Sequence, residues 1–202
     1  FRPDLLDKAI RQINREEPDI VLIAGDITDW GLPYEYEMAL EYLGGLEVPY
    51  LVVPGNHDAR HVGFKKFERS FRKQMSRYFC ERVEDYAFIG LDSSEPDVDY
   101  GQVGREGIAW AEIQIESNND AIPLLFLHHH LVPVPDTGRE RNVLTDAGNV
   151  LGVLMEHRVP LVLHGHKHVP WFWRLNDMYI CSSGTVSCEL SLIHISEPTR
   201  LG

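Results

Sequence analysis

The chain has 202 residues, with 31 acidic against 19 basic side chains and a formal net charge of −12. Its length suits one domain with a sizeable core, and a content of 44% hydrophobic and 25% charged residues excludes a disordered, collagenous or disulfide-stapled chain. The acidic balance argues against nucleic acid or an anionic membrane as the main partner, because both favour basic surfaces.

Helices and strands are predicted to alternate along the chain. The first helix follows Pro3 and ends near Pro18, and the continuous apolar run at 20–24 then indicates a buried strand. Further helices are expected at 34–43, 64–78, 104–116 and 145–157, and further strands at 50–53, 86–91, 122–127, 160–163, 171–174 and 178–182. This alternation predicts a single α/β domain built on a layered sheet.

Cysteine content and hydropathy bear on the compartment. The three cysteines, Cys80, Cys181 and Cys188, are too few and too scattered for a disulfide framework, and an odd number suits a reducing compartment. Cytoplasm is therefore the predicted location. No apolar run approaches the roughly 20 residues of a transmembrane helix, so no membrane partner is expected.

Both ends of the sequence differ from those of a complete domain. The chain starts on a helix at Phe1, without a methionine, which predicts a fragment that lacks the preceding strand. Residues 191–202 resemble translated adapter or vector sequence, so the native domain is predicted to span residues 1–190. A short native strand and turn is the alternative for the last twelve positions.

Four of the predicted strands end directly in clusters of Asp, Asn or His. The clusters are Gly25-Asp26-Ile27-Thr28-Asp29, Gly55-Asn56-His57-Asp58, His128-His129-His130 and His164-Gly165-His166-Lys167-His168. Taken singly, the first two are typical of turns and helix caps and the third of a solvated loop, whereas the alternating imidazoles of the fourth favour metal binding. Ligands in open α/β sheets bind beyond the carboxyl ends of the strands, so the four clusters are predicted to converge.

The combined side chains indicate a pair of divalent metal ions. Carboxylate, amide and imidazole groups without cysteine are typical of Mn, Fe, Zn or Co, and manganese is favoured. The cysteines lie outside the clusters and are interpreted as small buried hydrophobes. Because two such ions bring a charge of +4 to the site, an acidic protein can still hold a small phosphorylated substrate.

The motif order GD-x-x-D, GNHD, a His run after an apolar strand, and HGHxH resembles the calcineurin-like metallophosphoesterase superfamily over about residues 1–190. The phrase LHHHLVPVP at 127–135 is most similar to the class III cyclic nucleotide phosphodiesterase branch. The resemblance implies a four-layer α/β/β/α sandwich of two mixed β-sheets, with the first strand missing here. It also implies a dinuclear phosphoesterase, in which a metal-bridging hydroxide attacks a phosphodiester or phosphomonoester; a cyclic nucleotide is one candidate substrate.

The resemblance implies five metal ligands, namely Asp26, Asn56, His129, His166 and His168. Asp26 would bridge the two ions, Asn56 and His166 would bind the second ion, and His168 would complete the first. His129 is the predicted middle ligand because Leu131 stands where the family usually has a proline, and His128 is the alternative.

The catalytic residues implied by the resemblance are His57 and Asp29. His57 matches the non-ligand histidine beside the phosphate, and it is predicted to protonate the leaving alkoxide because the pKa of imidazole lies near 7. Asp29 matches the aspartate that orients this imidazole, with Asp58 as the competing candidate.

Two further groups have alternative interpretations. Arg139 and Arg141 are candidates for contacts to a substrate phosphate or for surface ion pairs. Trp171, Phe172 and Trp173 are candidates for a wall against a nucleobase or for packing within the core or sheet.

One family motif has no match near the N-terminus of the chain. This is the Asp-x-His pair that binds the first metal, so the chain as printed is expected to be poorly active or inactive and its intact parent to be an enzyme. The alternative function is a non-catalytic scaffold on the same fold. A nuclease is disfavoured by the acidic charge.

Overall fold

A computed structural model describes residues 2–61, 63–71, 78–137 and 142–186. Its helices are α1 (Pro3–Glu16), α2 (Pro33–Leu43), α3 (Gly63–Ser70), α4 (Gly104–Ser117) and α5 (Ala147–Glu156). Its strands are β1 (Val21–Ile23), β2 (Tyr50–Val52), β3 (Tyr78–Val83), β4 (Tyr86–Leu91), β5 (Ile122–Leu127), β6 (Leu161–His164), β7 (Trp171–Leu175) and β8 (Met178–Ser182). The predicted α/β class is confirmed.

The strands form two sheets. β1 and β2 pair in parallel, and the second sheet has the order β3-β4-β5-β6-β8-β7. In this mixed sheet β4, β5, β6 and β8 run parallel, while β3 and β7 pair antiparallel at the two edges. Helix α4 connects β4 to β5 and helix α5 connects β5 to β6, so that the carboxyl ends of β4, β5 and β6 lie at one edge of the sheet.

Three apolar clusters fill the spaces between four layers. Neighbouring residues of a strand face opposite sides, and in β2 Val52 packs in a cluster with α2 and α3 whereas Leu51 packs against Phe88 and Phe126 of the other sheet. On its far side the six-stranded sheet packs against α4 and α5, for example through Leu125. The predicted α/β/β/α layering is therefore confirmed.

The predicted helix at 64–78 is wrong at its end. Helix α3 ends at Ser70, residues 72–77 lie outside the described residues, and Tyr78 is the first residue of β3, a strand that was not predicted. β3 forms a hairpin with β4 through Glu84 and Asp85, and Glu84 has a φ of 51°. Two-residue hairpin turns are normally marked by Asn-Gly or Asp-Gly, so this turn carried no recognisable sequence signal.

Two other predictions concern the C-terminal tail and membrane-spanning helices. The tail at 191–202 lies outside the described residues. Within the described ranges, every helix is too short or too polar to cross a bilayer.

Candidate active site

The structure brings the ends of four strands together around the side chain of His128. Asp26 follows β1, Asn56 follows β2, His128 follows β5 and His166 follows β6. Asp26, His128 and His166 each offer a potential ligand atom, and these atoms all lie within 4.8 Å of one another. The clusters that the sequence predicts at one edge of the sheet thus meet at a single point.

Asp26, Asn56, His128 and His166 form a donor group in which the side chains are in direct contact. Nε2 of His128 lies 3.2 Å from Oδ2 of Asp26, 3.0 Å from Oδ1 of Asn56 and 3.1 Å from Nδ1 of His166. Oδ1 of Asn56 is also 3.1 Å from Nδ1 of His166. One carboxylate, one amide oxygen and two imidazoles fit a borderline divalent metal ion.

The other nitrogen of His128 fixes the orientation of its ring. Nδ1 lies 2.6 Å from the backbone carbonyl oxygen of Ala24. Because a carbonyl oxygen only accepts hydrogen bonds, Nδ1 carries a proton and Nε2 is the nitrogen that faces Asp26 and Asn56. Protein histidines that bind metals are typically held in this way by a hydrogen bond from the second nitrogen.

The charges of Asp26 and His166 are also suited to a cation. Burial opposes ionisation of Asp26 and His128, but their mutual attraction prevails, so the pKa of Asp26 is held well below its ordinary value and the pKa of His128 is raised. Burial and the neighbouring His128 lower the pKa of His166 to about 3, which leaves it a neutral imidazole. An anionic carboxylate and neutral imidazole are the forms that bind metals, so Asp26 and His166 are ready to bind, whereas His128 must release its Nε2 proton to become a ligand.

His129, the predicted middle ligand, lies outside this group. Its Nδ1 is 2.9 Å from the hydroxyl oxygen of Ser93, and its Nε2 is 3.3 Å from the backbone carbonyl oxygen of Asp99. Both ring nitrogens are thus engaged by other partners, although the ring centroid lies 4.7 Å from that of His166. The geometry favours the alternative, His128.

Strand alternation explains why His128 and not His129 reaches the donor group. Phe126 of β5 faces the smaller sheet, whereas Leu125 and Leu127 face α4 and α5. His128 continues the side of Phe126 and points towards Asp26 and Asn56, which follow β1 and β2. This two-residue period favours His128, whereas the position of Leu131 in the motif favours His129.

His168, the remaining predicted ligand, is not part of the close donor group among the described residues. It is half-buried, and burial lowers its pKa although the charge of Asp26 acts in the opposite direction. Asp26, His166 and His168 all adopt left-handed backbone conformations, with φ values of 56°, 69° and 57°. Such conformations in non-glycine residues are strained and are concentrated at functional sites.

Two glycines allow the loops after β1 and β2 to touch. Gly25 has a φ of 85°, and a Cβ atom there would lie 2.5 Å from the backbone nitrogen of Gly55. A Cβ atom on Gly55 would overlap the carboxylate of Asp26. The absence of side chains at both positions therefore sets the distance between Asp26 and Asn56.

His57 lies beside the donor group and faces solvent. Its backbone N–H donates to Oδ1 of Asp26 at 3.0 Å, and its side chain is 32% exposed, against 1% for His128. Nδ1 of His57 is 2.9 Å from the backbone carbonyl oxygen of Asp29 and 3.2 Å from Oδ1 of the same residue. The imidazole can be reached by a substrate and is held from one side by Asp29.

Asp58, the competing candidate for orienting His57, has another role. It is fully buried, and it accepts hydrogen bonds from the backbone N–H and the hydroxyl of Thr28 and from the backbone N–H of Gly55. Burial and the charge of Asp26 raise the pKa of Asp58 to about 6. Asp58 thus joins the loops that carry Asp26 and Asn56.

Sequence reasoning missed three residues around the site: Ser93, Arg60 and Asp99. Asp99 accepts a hydrogen bond from the amide of Asn56 at 3.1 Å and one from Arg60 at 2.8 Å. Arg60 follows the GNHD motif by two residues, which is a usable signal, but Asp99 and Ser93 belong to no motif and reach the site only through the fold.

The other candidate residues do not join the donor group. Arg139 and Arg141 lie outside the described residues. Trp171, Phe172 and Trp173 lie on the edge strand β7 and are 42%, 62% and 37% exposed, so they are not core residues. The indole N–H of Trp173 donates to the carbonyl oxygen of Pro133 in the loop after β5.

Comparison with known proteins gives consistent matches. The sequence model of the family described as calcineurin-like phosphoesterase matches residues 2–170. The chain is 29% identical over 191 residues to a probable cyclic nucleotide phosphodiesterase from Xenorhabdus bovienii, a match that covers 92% of this chain and 76% of the relative. It is 36% identical over 184 residues to a probable glycerophosphodiester phosphodiesterase from Arcobacter nitrofigilis, covering 88% of this chain and 67% of the relative.

A solved structure shares the fold. The dimetal phosphatase from Danio rerio superimposes with a TM-score of 0.72 at 18% sequence identity, covering 91% of this chain and 78% of the other. At this identity the similarity concerns the four-layer architecture alone.

Proposed function

The chain belongs to the calcineurin-like phosphoesterase family, and on this premise we propose that it hydrolyses small phosphodiesters. Membership makes it a metal-dependent phosphohydrolase, as the sequence predicts, and does not favour the scaffold alternative. The observation that carries the proposal is the meeting of Asp26, Asn56, His128 and His166 next to the solvent-facing imidazole of His57.

The names of two relatives support the proposed substrate class. One is named a probable cyclic nucleotide phosphodiesterase and the other a probable glycerophosphodiester phosphodiesterase, and both names describe cleavage of a phosphodiester. A diester of a small alcohol or nucleoside is therefore preferred to the phosphomonoester that the sequence left open. The cytoplasm stays the predicted location.

The proposed metal ligands are the carboxylate of Asp26, the amide oxygen of Asn56, Nε2 of His128 and Nδ1 of His166. When bound, a divalent ion supplies a Lewis acid that activates water and neutralises charge on the phosphoryl group. In the dinuclear arrangement that the resemblance implies, this ion would be the second one. Asp26 would also be shared with the first ion, and His168 would be a candidate ligand of that first ion. Manganese stays the favoured metal.

His57 is proposed to act on the leaving group. Because its Nδ1 lies against the backbone carbonyl oxygen and Oδ1 of Asp29, Nε2 is the nitrogen left to donate a proton to the departing alkoxide. The exposure of the side chain gives a substrate access, and the hydrogen bond from its backbone to Asp26 keeps it next to the donor group. Asp29 thus orients the imidazole by holding Nδ1, the nitrogen that faces away from the leaving group.

A substrate panel with added Mn²⁺ tests the proposal. Because the chain as printed is expected to be poorly active, the panel is run on this chain and on a version extended by a strand that carries the Asp-x-His pair. We would assay bis-p-nitrophenyl phosphate, p-nitrophenyl phosphate, cyclic AMP, glycerophosphocholine and a nucleoside diphosphate derivative. The proposal predicts hydrolysis of at least one diester, with a higher kcat/KM than for the monoester. Faster hydrolysis of the monoester would contradict it, and so would hydrolysis of none of the five by the extended protein once this is shown to be folded and metal-loaded.

A further inference from the structure

Arg60 connects three loops at the edge of the candidate active site. One guanidinium nitrogen donates to Oδ1 of Asp99 at 2.8 Å, and the other donates to the backbone carbonyl oxygen of Asp29 and lies 3.1 Å from Nδ1 of His57. The guanidinium carbon also lies 5.1 Å from the ring centroid of Trp30. Only 19% of the Arg60 side chain is exposed, so these contacts hold it in place.

Asp99 carries the connection from Arg60 to the metal-binding group. Its Oδ1 accepts from Arg60 and, at 3.1 Å, from the side-chain amide of Asn56. A carboxylate accepts only from the NH₂ of an amide, which turns the amide oxygen of Asn56 towards His128 and His166. If the side-chain amide of Asn56 were rotated by 180° about the Cβ–Cγ bond, its NH₂ would face the cation. The hydrogen bond to Asp99 therefore determines whether Asn56 can be a ligand.

We propose that Asp99, held by Arg60, is a positioning residue that orients the amide of Asn56 for metal binding. Because Arg60 contacts both Asp99 and His57, it holds these two residues in a fixed relation to each other. This inference rests on the proposed function, since it assigns partners to the same site. Neither residue touches the donor atoms of Asp26, and both act through Asn56 or His57. Changes to hydrogen-bonding partners of ligands typically weaken metal affinity by about 10–100-fold.

Three variants test the inference through Mn²⁺ affinity, measured by electron paramagnetic resonance titration. Asp99→Ala is expected to weaken Mn²⁺ binding by about 10–100-fold. Asp99→Asn keeps an oxygen acceptor and is expected to lie closer to the wild type. Arg60→Ala is expected to weaken Mn²⁺ binding no more than Asp99→Ala does, and to lower kcat on bis-p-nitrophenyl phosphate more than it changes KM. If Mn²⁺ affinity in Asp99→Ala lies within about threefold of the wild-type value, the inference is overturned.

A double-mutant cycle and a distant ion pair supply the controls. Because Arg60 acts on Asn56 through Asp99, combining Asp99→Ala with Arg60→Ala should weaken Mn²⁺ binding no more than Asp99→Ala alone, and full additivity would contradict the inference. Asp120→Ala removes the exposed ion pair between Asp120 and Arg82. Because this pair lies near the start of β5, away from the site, the substitution should leave Mn²⁺ affinity unchanged. Thermal unfolding checks that each variant is folded.

The same titration separates this inference from the proposed function. Folded wild-type protein that binds no Mn²⁺ would contradict the proposed metal site itself. Wild-type protein that binds Mn²⁺, together with an Asp99→Ala variant of equal affinity, would contradict only the positioning role of Asp99.

Discussion

Replacing Gly25 by alanine tests the close approach of the loops that carry Asp26 and Asn56. Gly25 has a φ of 85°, and a left-handed conformation costs about 1–2 kcal/mol for an L-residue with a Cβ atom. The added methyl would also lie 2.5 Å from the backbone nitrogen of Gly55, and such overpacking typically costs about 1–3 kcal/mol. The free energy of unfolding should therefore fall by about 2–5 kcal/mol.

The assay is thermal and urea-induced unfolding of Gly25→Ala beside a matched control. For a chain of this size each kcal/mol shifts Tm by about 2–4 °C, so Tm should fall by about 4–20 °C. Gly152 lies in α5, where a Cβ atom would meet no described heavy atom within 4 Å apart from its chain neighbours and the backbone of its own helix. Gly152→Ala should therefore raise stability by about 0.5–1 kcal/mol. A Gly25→Ala variant as stable as the wild type would refute the described contact between the two loops.

Three further predictions concern the chemistry of the site. His57→Ala should lower kcat on bis-p-nitrophenyl phosphate by about 10²–10⁴-fold while the metal content, measured by mass spectrometry, stays unchanged; loss of metal would instead make His57 a ligand. His128→Ala should lose bound Mn²⁺ whereas His129→Ala should retain the wild-type stoichiometry, and the reverse pattern would restore the assignment made from the sequence. Removing the metal with EDTA should abolish hydrolysis and, where Mn²⁺ had been present at 100 times its Kd, lower stability by about 2.7 kcal/mol; an unchanged Tm and rate would count against a bound metal.

Much of the fold could be predicted because parallel strands and their helices leave strong local signals. Runs such as 122–127 are continuously apolar since β5 is covered on both faces, by the smaller sheet and by α4 and α5. The polar clusters after these runs then indicated the edge at which Asp26, Asn56 and His166 meet.

The strand β3 could not be predicted in the same way. It lies at the edge of its sheet, two of its residues are exposed, and the hairpin to β4 turns at Glu84 and Asp85. Tertiary pairing with β4, and not a local pattern, determines its conformation.

The choice between His128 and His129 and the role of Asp99 depended on geometry that motifs do not contain. Which histidine of the run faces the smaller sheet is decided by the register of β5. Asp99 is separated from Asn56 by 43 positions and lies in the loop after β4, so its contact with the amide exists only once both sheets are assembled.

The most direct test of the proposed metal site is an electron paramagnetic resonance titration of Mn²⁺ into wild-type protein and Asp26→Asn. The substitution keeps the size of the side chain but removes the carboxylate that lies 3.2 Å from Nε2 of His128. We predict saturable Mn²⁺ binding to the wild type. In Asp26→Asn the affinity should fall by more than the roughly 100-fold that is the upper end for changes to a ligand's hydrogen-bonding partners. Equal affinity of both proteins for Mn²⁺ would contradict the assignment of Asp26 and with it the proposed metal site.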